Sequence, residues 1–202
     1  MTLWRGNQPL ILASQSRARQ ALLANAGIDF EAVAADIDER AVQQSCGLAG
    51  PGEVAALLAR AKALSVSQRQ PGRFVVGADQ TLALGTRIFN KPAGRAQAAE
   101  QLAALAGRRH ELHSAVAVAR DGEILFADTA MARMTMRQLG EAGIEAYLDE
   151  AGAAVMSSVG AYQLEGLGVH LFEHVDGDHF TILGLPLLPL LAFLRSARLL
   201  AV

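Results

Sequence analysis

Phe74-Val75-Val76-Gly77-Ala78 is a run of apolar or small residues, and the aspartate that follows it stands at the mouth of an expected buried strand. A carboxylate there costs free energy unless it is hydrogen-bonded, paired or bound to a cation, which makes Asp79 the strongest single candidate for chemistry. Glu39 closes the acidic run Asp36-Ile37-Asp38-Glu39 and can supply a second hard oxygen. Mg²⁺ is held by one or two carboxylates, with water and substrate phosphates filling its other positions. A solvated acidic loop is the plainer reading of the same four residues. The loop Ser14-Gln15-Ser16-Arg17-Ala18-Arg19 offers hydroxyls, backbone N–H groups at a helix start and guanidinium groups, all donors suited to phosphate oxygens. Its residue types also fit a simple Ser16 N-cap with Arg17 and Arg19 on a solvated face. Lys62 borders an apolar helical stripe and Lys91 sits in the turn Asn90-Lys91-Pro92; each can neutralise a polyphosphate, and each can equally be an ordinary solvated lysine.

The histidines point elsewhere. His110 and His113 are three apart on an expected strand and so face opposite sides, while His170, His174 and His179 lack zinc-motif spacing. No zinc site is expected, and no P-loop, nucleophile elbow or dinucleotide fingerprint occurs.

The elements that must carry these residues follow from pattern and punctuation. Leu10 to Ala13 reads as a buried strand handing over through the serine loop to a helix from Arg17 to Ala26, closed by Gly27. A second strand is expected over Phe30 to Ala35. The break Gly50-Pro51-Gly52 precedes a helix to about Gln68, and the next strand ends at Asp79-Gln80-Thr81. Leu82 to Phe89 suits a hairpin turning at Gly85, followed by a helix from Arg95 to Ala106. Asp121-Gly122 marks a two-residue hairpin between His113–Arg120 and Glu123–Met136. A helix is expected from Leu139 to Glu150, a second hairpin pairs Val169–Glu173 with Phe180–Leu183, and a last helix runs from Leu187 to Arg198. Strands and helices alternate early and hairpins appear late, so the expected fold is α/β: a mixed, elongated twisted sheet flanked by helices, with two lobes around a central cleft. The whole chain, 1–202, is expected to form one such domain, softly divided near residue 110.

Composition sets the outer limits. With 51% hydrophobic and 19% charged residues the chain can bury a core and is not a disordered polymer. Eighteen basic against twenty acidic side chains give no basic footprint for nucleic acid, so an anionic ligand has to be met by local charges. The single cysteine, Cys46, cannot close an intrachain disulfide and reads as a packed or idle thiol. The apolar run before Ser14 is too short for a secretory signal, and Phe180 to Leu194 is too short and too proline-broken to span a bilayer. A cytoplasmic protein without membrane or nucleic-acid partners is expected.

Taken together, Leu12-Ala13-Ser14-Gln15-Ser16 to Arg19, Asp38-Glu39, Lys62, Gly77-Ala78-Asp79-Gln80-Thr81, Lys91-Pro92, Gly107 to His110, Gly160-Ala161-Tyr162 to Glu165-Gly166 and Gly184-Leu185-Pro186-Leu187 resemble the Maf family of nucleoside triphosphate pyrophosphatases, in family order. The resemblance implies a fold like that of Maf and inosine triphosphate pyrophosphatases, often dimeric. It implies hydrolysis of a nucleoside triphosphate to monophosphate and pyrophosphate with a divalent cation, Mg²⁺ or Mn²⁺. By matching position, Asp79, Glu39 and Lys91 take catalytic roles, with Glu39 and Asp79 on the metal. Ser14, Ser16, Arg19, Lys62, Gln80 and Glu165 take substrate. The family loop commonly reads Ser-x-Ser-Pro-Arg-Arg, whereas Arg17 and Ala18 stand here and leave only Arg19 in register. Gln80 and Glu165 are similar to the branch acting on 7-methyl-GTP rather than dTTP or UTP, and the base stays open between them. A second reading is a non-catalytic nucleotide-binding regulator of septum formation and cell division; a third is a phosphatase releasing orthophosphate.

Overall fold

A computed structural model of the chain describes residues 3–45, 47 and 50–202; Cys46 lies outside the described residues. The strands are β1 (Leu10–Ala13), β2 (Phe30–Ala32), β3 (Val75–Leu84), β4 (Arg87–Phe89), β5 (Arg109–Arg120), β6 (Glu123–Met136) and β7 (Phe172–Asp176). They form one sheet in the order β2-β1-β3-β5-β6-β7, with β4 also on β3. Parallel pairing of β1 with β2 and β3, and antiparallel pairing of β3 with β4 and β6 with β7, make the sheet mixed, as expected. Helices complete the α/β architecture.

Two compact units divide the chain, one of Met1–Gln80, Ser114–Ala130 and Gly184–Val202, the other of Thr81–His113 and Met131–Leu183. In the first, β1 is buried at all four positions, the signature of a strand covered on both faces. Helix α1 (Arg17–Asn25) follows it, capped by Ser16, whose hydroxyl accepts from the Arg19 N–H. Helix α2 (Glu39–Ser45) starts where Asp38 accepts the Ala41 N–H at 2.9 Å. Helix α3 (Pro51–Ser67) has proline in its first turn and the Glu53 carboxylate on the Gly50 N–H. Its Ala55, Ala59 and Ala63 pack in one cluster with Ala115, Ala117 and Ala119 of β5. Side chains this small bring helix and sheet backbones close together. The closest approach is at Gly77, where a Cβ would lie 2.1 Å from the Ala59 carbonyl oxygen and 2.5 Å from the Ala63 nitrogen. Helix α7 (Leu187–Ser196) adds Phe193, which stacks on Phe126 with ring centroids 5.0 Å apart.

The second unit is built from larger side chains. Leu82, Leu102, Leu105, Leu112, Met134, Met136 and Leu148 are among its fully or nearly fully buried core residues. They are contributed by the strands together with helices α4 (Arg95–Leu105) and α5 (Glu141–Ala151). Three 3-10 segments, Gly152–Ser157, Val159–Ala161 and Leu167–Leu171, carry the chain to β7. Among the described residues no helix is long and apolar enough to cross a membrane.

Three local expectations are corrected. The hairpin of Val169–Glu173 with Phe180–Leu183 does not form, because Asp178 accepts the Thr181 N–H at 3.0 Å and caps a short helix, α6 (His179–Ile182). β7 pairs with β6 instead, Thr135 opposite His174. The strand expected over Phe30 to Ala35 stops at Ala32, before Asp36 takes a positive φ of 50°. The strand expected to end at Asp79-Gln80-Thr81 runs on to Leu84, so Asp79 lies within β3 and not at its mouth.

Candidate active site

Side chains two apart on a strand share a face, and those three or four apart on a helix do likewise. Asp79 therefore projects from the face of β3 that Gly77 opens to α3, and Lys62 projects from α3 beside the alanines that fill the opening. The result is an ion pair of 2.6 Å between Lys62 Nζ and Asp79 Oδ1, each residue 8% exposed. Glu39, in the first turn of α2, reaches the same nitrogen with Oε1 at 2.8 Å and keeps about half its side chain in solvent. One ammonium thus draws two carboxylates together, one buried and one open to solvent. Two hard oxygen donors converging on a single cation are a donor set suited to Mg²⁺ or Mn²⁺, so these residues fit the metal the resemblance implies.

The serine loop meets β3 from the other side of its sequence. Arg19 is buried, and its guanidinium spends its donors inside the protein: Nε on the Gly184 carbonyl at 2.7 Å, Nη1 on the Ala78 carbonyl at 2.9 Å and on Ser14 Oγ at 3.2 Å. Burial lowers the Arg19 pKa, and the charges of Asp79 and Glu39 work in the opposite direction; a guanidinium stays protonated regardless. Ser14 Oγ also accepts the Ser16 N–H at 3.2 Å. Arg19 is therefore the tie that joins the loop, the strand residue before Asp79 and the segment at Gly184. Gly184 has φ of 89°, a left-handed conformation that suits glycine, and a Cβ there would lie 3.2 Å from Arg19 Nη2.

Ser14, Ser16, Arg19, Glu39, Lys62, Asp79 and Gln80 all belong to the first unit. Gln80 Nε2 donates to Ser114 Oγ at 2.9 Å. Lys91 and Glu165 belong to the second, both exposed: Lys91 in the segment between β4 and α4, Glu165 in the turn after Tyr162. Sequence reasoning missed Ser114 and the carbonyls of Ala78 and Gly184. A fully buried serine in the run His113-Ser114-Ala115-Val116 was the available signal for the first; backbone carbonyls carry no residue-type signal at all.

A buried aspartate paired with a lysine, a second carboxylate on the same ammonium and a serine-capped helix start thus lie in one unit. Residues 9–197 match the Maf-like protein family, and the chain belongs to that family. It is 71% identical over 202 residues, all of both chains, to a nucleoside triphosphate pyrophosphatase of Rhodopseudomonas palustris. It is 68% identical, again over all of both chains, to one of Bradyrhizobium diazoefficiens. A 7-methyl-GTP pyrophosphatase of Brucella abortus is 52% identical over 191 residues, covering 94% of this chain and 96% of that one.

Proposed function

We propose that this chain is a hydrolase that splits a nucleoside triphosphate between the α and β phosphates, giving the monophosphate and pyrophosphate, and that the Lys62–Asp79–Glu39 group is its reacting centre. The observation that carries the assignment is the convergence of both carboxylates on Lys62 Nζ at 2.6 and 2.8 Å. Asp79, one oxygen held by Lys62, orients a water for attack on the α-phosphorus and takes its proton as the new P–O bond forms. The α–β bridging bond breaks and pyrophosphate leaves. Lys62 and Lys91 stabilise charge on the phosphate oxygens, where fixed cations act most strongly once water is excluded. Arg19 holds the Ser14 and Ser16 hydroxyls toward phosphate and adds its buried charge. Glu39 and Asp79 would hold a divalent cation, which would supply charge neutralisation of the triphosphate. Gln80 and Glu165 set the base, and 7-methyl-GTP is the reading they support, in line with the name of the Brucella abortus relative. Homodimer formation is part of the same proposal and rests on the family resemblance.

The test is a panel of dTTP, UTP, CTP, GTP, 7-methyl-GTP and ITP with Mg²⁺, pyrophosphate and orthophosphate being measured separately. Pyrophosphate released in step with monophosphate, fastest from 7-methyl-GTP, is the expected result. Orthophosphate as first product contradicts the bond assignment, and nucleotide binding without any release would favour a regulator.

A further inference from the structure

His110 and Tyr162, at 1% and 4% exposure, place two polar groups in an otherwise apolar core, with His110 Nε2 and Tyr162 Oη 2.8 Å apart. Phe172 completes a three-ring cluster, its edge against Tyr162 at 4.7 Å between centroids and its ring 5.9 Å from His110. Burial keeps the pair neutral: it pushes the His110 imidazole down to about 4 and the Tyr162 phenol upward. A plain core would use two apolar rings here, so the hydrogen bond calls for a reason.

The reason lies in the backbone on either side of Tyr162. Gly160 and Ala161 take consecutive positive φ values, 76° and 60°, and for alanine that conformation persists only where its surroundings impose it. Tyr147 Oη donates to the Ala161 carbonyl at 3.2 Å, and a Cβ at Gly160 would lie 2.9 Å from Tyr162 Cε1, so ring and backbone fix one another. Beyond Tyr162 the chain closes a turn, Gly166 N–H to the Gln163 carbonyl at 3.2 Å, with Glu165 exposed in it. Gly168 seals that turn from below, since a Cβ there would lie 2.3 Å from the Gln163 oxygen. The Glu165 turn is therefore pinned downstream by a backbone contact and upstream by Tyr162, whose polar end rests on His110, with Leu164 against the core and Gln163 Nε2 donating to Ser157 Oγ at 2.8 Å beside it.

We propose that His110, acting through Tyr162, is a positioning residue for Glu165 and so a determinant of which nucleobase is accepted; this rests on the reading of Glu165 as the base-selecting residue. The experiment measures kcat and KM for 7-methyl-GTP and dTTP in Glu165→Gln, Tyr162→Phe, His110→Gln and the Glu165→Gln/Tyr162→Phe double variant, with a thermal melt of each. Tyr162→Phe keeps the ring and so carries the test if His110→Gln fails to fold. Expected is a loss of discrimination between the two nucleotides of about 10-fold, mainly in KM, the order set by misplacing a binding group by a fraction of an ångström. In the double variant Tyr162→Phe then adds little to Glu165→Gln. Equal losses for both nucleotides, or a Tyr162→Phe effect fully additive with Glu165→Gln, overturn the proposal while leaving the base reading in place. Unchanged discrimination in Glu165→Gln overturns both.

Discussion

Lys62 in the first unit and Arg95 in the second each face two carboxylates, and the two groups have almost nothing else in common. In the first, Lys62 holds Asp79 and Glu39 with its own side chain 10% exposed and that of Asp79 11% exposed. In the second, Arg95 of α4 holds Glu145 and Asp149 of α5 with all three side chains about half exposed or more. Hydrogen bonding to Glu145 is the main cause of a raised Arg95 pKa, and water screens the pair on every side. The difference teaches where to look for chemistry: charges a protein can leave in water are cheap, whereas a lysine and an aspartate placed under a helix need a compensating use.

Removing the lysine is the severest way to break the comparison. Lys62→Met leaves the Asp79 carboxylate buried beside an apolar side chain, and we expect a loss of about 3 kcal/mol in stability, read by urea unfolding, together with a fall of about 10²-fold or more in pyrophosphate release. Gly77→Ala tests the same group from the backbone. Its Cβ has to displace α3 at Ala59 and Ala63, costing about 1–3 kcal/mol of overpacking and drawing Lys62 away from Asp79, so activity should fall with no charge altered.

A buried group of the second unit sharpens the contrast, being polar but uncharged. His110, held at about 4 by burial against 6.5 for the free imidazole, binds fewer protons folded than unfolded between those values. Its contribution to stability is complete above pH 6.5 and is lost as pH falls toward 4. Denaturation midpoints across that window should drop more steeply for the parent protein than for His110→Gln. The smallest effect belongs to Arg95→Ala: unfolding midpoint and turnover should both match the parent within error, as is usual for exposed pairs.

How much of this was legible beforehand depended on whether the information was local. The turn at Asp121-Gly122, the helix closed at Gly27 and the buried strand Leu10–Ala13 were readable because each is decided by a few adjacent residues. So were Asp79, Glu39, Lys62 and the serine loop as candidates by type. That Lys62 meets both carboxylates was not readable, since Asp79 is 17 residues away and no periodicity links an α3 lysine to a β3 aspartate. Nor was the engagement of Arg19 by Gly184, 165 residues along the chain. The mistaken hairpin at Phe180 shows the opposite failure: apolar, β-prone residues suggested a strand where the Asp178 cap starts a helical turn. Tertiary context decided the first two, and a local cap the third.

The central claim is that Asp79 acts on the substrate and is not only a partner for Lys62. Its most direct test is pyrophosphate release by Asp79→Asn, run beside a thermal melt. Asparagine keeps the shape and can still meet Lys62, but it cannot take a proton from water. The expected result is a folded protein whose turnover is down by about 10²–10⁴-fold, the range for losing a positioned base. A folded Asp79→Asn protein that releases pyrophosphate at the parent rate would contradict the account.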